Sequence, residues 1–312
     1  MTQTILMFSG QGSQAVGMGK DIALDFQEFA HTLEEASDHL GYDMKALLWE
    51  DAASQLNLTE FTQPAILTMS TGLFRILQER AGVLPQVVAG HSLGEYSALV
   101  AAGTLRFQDA LRAVRFRGQS MQKAVPVGVG GMAAYIGAQC AAVEELCKAE
   151  STEQDVVESV NFNSPSQLVL SGHKSAVERV AKIIAERKLG KARVLPVSAP
   201  FHSSLMKPAA DAMNEYLSNV VFLPLAGRIV ANVDARFYEK NAYTSAQLVK
   251  QVASPVLWTQ TLHTLESEFG SAQWIEVGPG AVLQGLLKQT LAGKEPLGTG
   301  TLESLKATLS KF

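Results

Sequence analysis

The chain has 312 residues, of which 47% are hydrophobic, and a formal net charge of −4 at neutral pH. This composition supplies enough apolar side chains for one large domain, or for a large domain with a smaller one. The slight negative charge excludes an overall basic surface of the kind that binds nucleic acid. No apolar run is long enough to cross a membrane. The N-terminus has no basic segment before its first apolar run, so we expect no signal peptide.

The two cysteines, Cys140 and Cys147, are seven residues apart in a helical pattern. That spacing corresponds to about 10 Å along a helix axis, which a disulfide cannot close. Neither cysteine belongs to a C-x-x-C motif, so the sequence predicts no metal site. Both are expected to be small core or surface residues of a cytoplasmic protein.

In chain order, short apolar runs alternate with helical patterns through the first part of the sequence. We predict a strand at residues 5–8, helices at 21–40 and 64–80, a strand from 87 and helices up to 123. Pro64 is placed near the first turn of the second helix, where a proline is tolerated. Strand, loop and helix in repetition favour an α/β fold with a largely parallel sheet.

A stretch rich in glycine and proline near residues 125–131 marks a change of pattern. The elements predicted beyond it are a strand at 132–136, a helix at 140–150, strands at 156–161 and 167–171, a helix at 174–188 and a strand at 192–197. This β-α-β-β-α-β order is that of a ferredoxin-like unit. We therefore predict a ferredoxin-like small domain at 127–199, inserted into a large α/β domain formed by 1–126 and 200–312. Strands near 228–233 and 274–277 belong to the large domain.

The most informative motif is the G-x-S-x-G sequence at residues 90–94, which lies between an apolar strand and a helix. Side chains at its two glycine positions would crowd a tight turn. The context matches a nucleophile elbow, which presents a serine hydroxyl beside a helix N-terminus. We therefore predict an α/β-hydrolase-like large domain with Ser92 as nucleophile. A glycine-rich turn that happens to hold a serine is the alternative.

A serine nucleophile needs a general base, and the chain has six histidines. Four of them lie in charged helical stretches or in a turn and are expected to be exposed: His31, His39, His173 and His263. His91 is adjacent to Ser92 on a tight turn, where neighbouring side chains diverge, so we expect it to pack or to hydrogen bond. His202 lies in a loop of small residues just after the inserted unit, where a cleft wall is natural. It is the candidate base.

The group that orients the base is left open by the residues alone. Asp211, Asp234, Glu266 and Glu276 are candidate carboxylates, and a backbone carbonyl can do the same work. An oxyanion hole needs two donors. The N–H of Leu93 is one, and the turn Gly10-Gln11-Gly12 is the best source of the other. The same turn loosely fits a dinucleotide fingerprint, but no second strand with an acidic end follows at the expected distance.

Three arginines lie close together in one helical stretch: Arg112, Arg115 and Arg117. The first two are expected to be solvated. Arg117 has less polar neighbours, and a partly buried arginine beside a cleft would bind a carboxylate through two parallel hydrogen bonds.

Together these motifs resemble the malonyl-CoA:acyl-carrier-protein transacylases of fatty acid synthesis. The matching segments occur in the same order nearly end to end, at residues 8–14, 90–95, 117–121, 131–134, 161–165, 200–203 and 276–280. Several such motifs in order are far more specific than any single one. Pro200 before Phe201 is a small departure from the family pattern, which commonly has alanine there. The phenylalanine associated with malonyl preference is kept.

The resemblance implies a role for each matching residue. Ser92 would be the nucleophile and His202 the base, and the N–H groups of Gln11 and Leu93 would form the oxyanion hole. Further positions follow from the same resemblance: Arg117 would bind the malonyl carboxylate with Met121 and Phe201 beside it, the main-chain carbonyl of Gln251 would orient the histidine, and Asn161 would lie near the site.

The resemblance further implies ping-pong transfer of malonyl from malonyl-CoA to a phosphopantetheinyl carrier protein through a malonyl-serine. It implies no bound cofactor or metal, no nucleic-acid or membrane partner, a cytoplasmic monomer, and a role in fatty acid synthesis. Because carrier proteins are acidic, Lys188, Lys191 and Arg193 are candidates for a basic docking rim, with a solvated helix end as the alternative. Two other functions stay open: a serine esterase or thioesterase, and a non-catalytic module that binds acyl-CoA or a carrier protein.

Overall fold

The computed structural model describes residues 3–197 and 199–312, so Met1, Thr2 and Ser198 lie outside it. In that part of the chain the strands are β1 Thr4–Phe8, β2 Val87–Gly90, β3 Gly130–Ile136, β4 Val157–Ser164, β5 Gln167–His173, β6 Lys191–Val194, β7 Arg228–Val230, β8 Phe237–Glu239, β9 Gln273–Val277 and β10 Leu297–Gly298. The helices are α1 Lys20–Asp25, α2 Gln27–Leu40, α3 Met44–Trp49, α4 Thr59–Ala81, α5 Gly94–Ala101, α6 Phe107–Lys123, α7 Cys140–Glu150, α8 Lys174–Glu186, α9 Lys207–Leu217, α10 Ser245–Val252, α11 Trp258–Phe269, α12 Val282–Thr290 and α13 Leu302–Leu309.

The larger sheet has the strand order β10-β9-β1-β2-β7-β8. Its neighbouring strands are parallel except for β8, which pairs antiparallel with β7 at the edge. Side chains of β1 alternate between the two apolar layers, with Leu6 and Phe8 on one face and Ile5 and Met7 on the other. Because helices cover both faces, β1 is buried along its whole length, as is usual for a central parallel strand. The predicted α/β class with a largely parallel sheet is confirmed.

The smaller sheet is antiparallel, with the strand order β4-β5-β3-β6. Helices α7 and α8 supply its apolar layer through residues such as Val143, Val177 and Val180. The chain order β3-α7-β4-β5-α8-β6 is the β-α-β-β-α-β order expected from the sequence. The domain boundaries at residues 127 and 199 stay a prediction.

Two predicted helices differ from the observed ones. The expected helix at 21–40 is interrupted at Phe26, whose extended backbone separates α1 from α2 while its ring packs on the core. Helix α4 begins at Thr59, so Pro64 lies inside it and not in its first turn. The early start was missed because its polar residues, among them Thr62 and Gln63, are buried, which removes the usual amphipathic pattern.

Both cysteines are free thiols, with Cys147 buried and Cys140 partly exposed. Over residues 3–197 and 199–312, no helix combines the length and apolarity that a bilayer crossing requires. The same residues contain no group of three or more histidine, cysteine or acidic side chains placed to hold a metal ion.

Candidate active site

The turn between β2 and α5 presents Ser92 in a left-handed backbone conformation, with φ of 52°. A Cβ on Gly90 would lie 1.9 Å from the carbonyl carbon of Gly94, and a Cβ on Gly94 would lie 2.1 Å from the carbonyl oxygen of Phe8. Only glycine therefore permits the two close backbone approaches that form this turn. A serine with positive φ at a strand-to-helix turn is the geometry of a nucleophile elbow.

His202 lies opposite the elbow, in the loop that follows the smaller sheet. Its Nε2 is 2.7 Å from the Ser92 hydroxyl oxygen, and its Nδ1 is 2.8 Å from the carbonyl oxygen of Gln251. A carbonyl oxygen only accepts, so Nδ1 carries the proton and Nε2 is free to accept from the serine hydroxyl. The geometry therefore hydrogen bonds Ser92 to the candidate base, which is oriented by the main chain of α10.

The electrostatic surroundings keep that base neutral. Burial, with a further contribution from the Arg117 charge, lowers the pKa of the His202 imidazole to about 3. The imidazole is therefore uncharged at neutral pH, with its proton on Nδ1, and Nε2 is available to accept the serine proton.

Arg117 projects from α6 into the same site and is only 1% exposed. Its guanidinium donates to the Ser92 hydroxyl oxygen at 3.2 Å, to the side-chain oxygen of Gln63 at 2.9 Å and to that of Gln251 at 2.8 Å. Its Nε has no partner in the described part of the chain, and burial lowers the pKa of the group. Arg112 on the same helix is exposed, whereas Arg115, which was expected to be solvated, is partly buried and donates to the carbonyl of Leu40.

A cavity of about 420 Å³ opens above Ser92, His202 and Arg117. The other sequence-predicted residues that line it are Gln11, Met121, Asn161 and Phe201. Leu93 is buried and is the N-cap residue immediately before α5. The structure thus brings the predicted nucleophile, base, arginine and wall residues to one cavity that lies between the two sheets.

The candidate docking cations lie apart from this cavity. Lys188 follows the end of α8, and Lys191 and Arg193 lie on the edge strand β6, with all three side chains exposed. Strand β6 leads directly into Leu195 and Val197, which do line the cavity. The three cations are therefore on the element that precedes the cavity wall and do not contribute to its lining.

Several other sequence candidates have different partners. Asp234 accepts from the Tyr238 hydroxyl, and Glu276 accepts from Ser9 and from two N–H groups at the start of α12. His31 and His263 are exposed as expected, and His39 is partly exposed. His173 is also only partly exposed, because its Nδ1 accepts from the Val156 N–H across the smaller sheet.

His91 hydrogen bonds through Nε2 to Asn163 and packs edge-on against the Trp258 ring. Burial lowers its pKa, in keeping with a neutral packing residue.

Sequence reasoning missed a buried layer beneath the turn at Ser92. Asn232 accepts from the Ser92 N–H at 2.7 Å and donates to the Gly90 carbonyl at 2.7 Å. Glu95 accepts from Tyr243 and from the Gln251 side chain. These residues come from separate elements, so no local motif links them. The one available signal was the charged Glu95 within the otherwise apolar start of α5.

Known proteins of one family are similar to this chain over nearly its whole length. The sequence profile of the family described as Acyl transferase domain matches residues 5–304. The chain is 46% identical over 289 residues to the malonyl CoA-acyl carrier protein transacylase of Salmonella typhimurium, with 93% of each chain covered. The structure of a malonyl CoA-acyl carrier protein transacylase from Coxiella burnetii matches with a TM-score of 0.95 and 38% identity, over 100% of this chain and 98% of that one.

A second solved structure is that of a type II PKS acyl-carrier protein in complex with its malonyl-transacylase. This chain matches it with a TM-score of 0.95 and 40% identity, and both chains are covered in full.

Proposed function

The chain belongs to the acyl transferase family, and from that premise we propose that it transfers malonyl from malonyl-CoA to an acyl carrier protein in fatty acid synthesis. It is an acyl-carrier-protein S-malonyltransferase in this proposal, and Ser92 carries the acyl group between the two substrates. CoA leaves before the carrier protein reacts, which makes the mechanism ping-pong.

The observation that carries the proposal is the buried Arg117 beside the nucleophile. Its guanidinium is 3.2 Å from the Ser92 hydroxyl oxygen, and it forms no ion pair with a carboxylate of the described residues. The buried carboxylate of Glu95 is linked to Arg117 only through the side-chain amide of Gln251. A buried guanidinium without a direct ion pair is costly, and it matches a substrate carboxylate through two parallel hydrogen bonds. A malonyl group supplies that carboxylate two carbons from the carbonyl that Ser92 attacks. An acetyl group does not.

In the first half-reaction, the Ser92 oxygen forms a bond to the thioester carbonyl carbon while its proton moves to Nε2 of His202. The negative charge that develops on the carbonyl oxygen is stabilised by the N–H groups of Gln11 and Leu93. When the tetrahedral intermediate collapses, the carbon–sulfur bond breaks and the CoA sulfur takes the proton from His202. A malonyl ester on Ser92 and free CoA remain.

In the second half-reaction, the phosphopantetheine thiol of the carrier protein gives its proton to the same Nε2 and attacks the ester carbonyl. The ester bond breaks, and the proton returns to Ser92. His202 suits both steps because its pKa, lowered to about 3 by burial and the Arg117 charge, leaves it neutral between them. Met121 and Phe201 would form the wall beside the acyl group, and Asn161 would support the site from β4.

Finer features belong to the same proposal. The enzyme would act as a cytoplasmic monomer without a bound cofactor or a nucleic-acid partner. Its inserted unit would extend over 127–199, and its large domain would be α/β-hydrolase-like. Lys188, Lys191 and Arg193 would form a rim that attracts the acidic carrier protein.

The direct test is to incubate the protein with labelled malonyl-CoA and to locate the label by peptide mass spectrometry. We expect one label on Ser92, released faster by a carrier-protein thiol than by water, and none on the Ser92→Ala variant. Rapid release to water would indicate an esterase instead. Absence of the label from the unaltered protein would indicate a binding module.

A further inference from the structure

Glu95, on the first turn of α5, is a fully buried carboxylate that the mechanism above does not use. Its two oxygens accept from the Tyr243 hydroxyl at 2.7 Å, from the Gln251 side-chain amide at 2.6 Å and from the Asn232 N–H at 3.3 and 3.4 Å. The Gln251 amide nitrogen and the Asn232 N–H only donate, and both oxygens of an ionised carboxylate accept. Geometry therefore matches the ionised form of Glu95.

The side chain of Gln251 bridges this carboxylate and Arg117. Its amide nitrogen faces Glu95, and its oxygen accepts from the Arg117 guanidinium at 2.8 Å. An amide placed between an anion and a cation has only one favourable orientation, with nitrogen toward the anion and oxygen toward the cation. The same amide nitrogen donates to the Ser92 carbonyl at 2.9 Å, and the backbone carbonyl of Gln251 holds His202.

Asn232 extends the network to the backbone of the elbow. It lies just beyond β7 and is fully buried, and its side chain bonds to both Gly90 and Ser92 across the turn. Because its own N–H donates to Glu95, the carboxylate contacts one residue that holds the Ser92 turn and another that holds His202 and Arg117.

We propose that Glu95 is a positioning residue whose carboxylate fixes the orientation of Gln251, and through it the alignment of Arg117 and His202 on Ser92. This inference rests on the proposed malonyl transfer and deepens it. Without the carboxylate, Ser92, His202 and Arg117 would still be present in the site, but their side chains would no longer be held in one orientation. A misplacement of about 1 Å is sufficient to slow a positioned reaction by roughly a hundredfold.

The network also gives the site a dependence on pH. Burial raises the pKa of the Glu95 carboxyl to about 7, against the lowering effect of its hydrogen bonds and of the Arg117 charge. The titratable groups that face it are Tyr243 from the loop before α10, Tyr96 beside it on α5 and Arg117 from α6. Because the acceptor form is the one that orients Gln251, loading of Ser92 should rise as the pH increases through this range.

The test measures the rate constant for loading Ser92 at saturating malonyl-CoA, without carrier protein, from pH 5.5 to about 8.5. This half-reaction avoids the titration of the carrier-protein thiol. For Glu95→Gln we expect loading to be at least about tenfold slower at pH 8 and the rise with pH to be lost. The malonyl-over-acetyl preference should fall as well, because Arg117 is less well aligned. Tyr243→Phe removes one donor, so it should move the midpoint of the rise to higher pH.

Glu276→Gln is the matched control, since Glu276 is also a buried carboxyl that accepts from two N–H groups and a hydroxyl. It should lower the melting temperature without altering the pH dependence of loading. Wild-type loading rates in Glu95→Gln, or an unchanged rise with pH in that variant, would overturn the positioning role. Failure of the unaltered protein to load Ser92 would instead overturn the proposed function. If Glu95→Gln does not fold, an unmoved midpoint in Tyr243→Phe decides against the inference.

Discussion

The turns that present Ser92 and His202 reach the same backbone conformation by different means. Both residues have positive φ, 52° and 62°, although neither is glycine. The Ser92 turn is enforced by close backbone contacts at its two flanking glycines. The His202 turn has no flanking glycine and is closed by hydrogen bonds within it, from the Ser203 N–H and hydroxyl to the Pro200 carbonyl. The Ser92 turn thus depends on close backbone packing in addition to the hydrogen bonds of Asn232, whereas the His202 turn is closed by polar contacts without glycine.

The largest effects should come from removing the two side chains that these turns present. Ser92→Ala should form no covalent malonyl-enzyme, because among residues 3–197 and 199–312 the Ser92 hydroxyl is the one hydrogen bonded to His202 Nε2. His202→Ala should still bind malonyl-CoA but load Ser92 at least about a hundredfold more slowly, since general-base assistance is lost. Single-turnover loading with labelled malonyl-CoA measures both. Wild-type loading by His202→Ala would show that the base lies elsewhere.

The next largest effects are losses in the free energy of unfolding, which should differ between the Ser92 turn and the His202 turn. Gly90→Ala should destabilise the fold by more than about 3 kcal/mol, because its Cβ cannot fit against the Gly94 backbone. Ser203→Ala removes one hydrogen bond of the His202 turn and should cost about 1 kcal/mol. Gly285→Ala is the control, since no atom of the described residues outside the backbone of its own helix lies within 4 Å of the added Cβ. Urea unfolding followed by circular dichroism measures all three, and equal losses for Gly90→Ala and Gly285→Ala would contradict the steric account.

Acid should destabilise both turns, because each carries a histidine whose pKa is lowered by burial, His91 in one and His202 in the other. The contribution of His202 can be isolated by substitution. In the unfolded chain a histidine binds a proton below a pH of about 6.5, whereas the pKa of folded His202 is lowered to about 3 by burial and Arg117. The unfolded state therefore binds more protons in this window, and His202 costs stability as the pH falls through it. The slope from this one group is at most about 1.4 kcal/mol per pH unit.

Replacing the histidine should remove that contribution. His202→Asn should lose less free energy of unfolding than the wild type between pH 6.5 and 5, while Ser92→Ala should keep the wild-type slope. Urea titrations across this range provide the measurement. A parallel pH dependence of wild type and His202→Asn would mean that the imidazole is protonated in the folded protein.

The smallest effect on activity is expected from charge reversal at and just before β6, the strand that leads into the His202 loop. Reversing the charges of Lys188 and Lys191 should raise the KM for the carrier protein about tenfold at low salt and leave malonyl-CoA loading unchanged. Reversing Lys306 and Lys311 on and after α13 changes the net charge equally and is the control. If both double variants raise the KM alike, the effect is one of overall charge and the rim is not a docking surface.

The difference between the turns also explains why the Ser92 turn was easier to predict from the sequence than the His202 turn. The Ser92 turn depends on glycines at fixed spacing, so a local motif predicts both its conformation and its function. His202 could be placed only by its position after the inserted unit and by family resemblance, because its contact with the Gln251 carbonyl joins residues that are 49 positions apart in the chain. The α/β class and the order of the elements followed from strand and helix periodicity.

The layer beneath the elbow was not predictable in this way. Asn232, Tyr243 and Gln251 are brought to Glu95 only by the folding of β7, α10 and the loop between them. The early start of α4, which places Gln63 against Arg117, was hidden for a related reason. A helix is recognised by apolar residues on its buried face and polar residues on its exposed face. Polar residues that are buried at the site, such as Gln63, break this pattern.

In the proposed function Ser92 carries a malonyl group that Arg117 selects. The most direct test of this claim is the ratio of malonyl to acetyl loading on Ser92 in Arg117→Ala, with Arg112→Ala on the exposed face of the same helix as control. Arg117→Ala should lose malonyl loading and gain acetyl loading relative to it, while Arg112→Ala keeps the wild-type ratio. Equal loss of malonyl and acetyl loading in Arg117→Ala would contradict the claim.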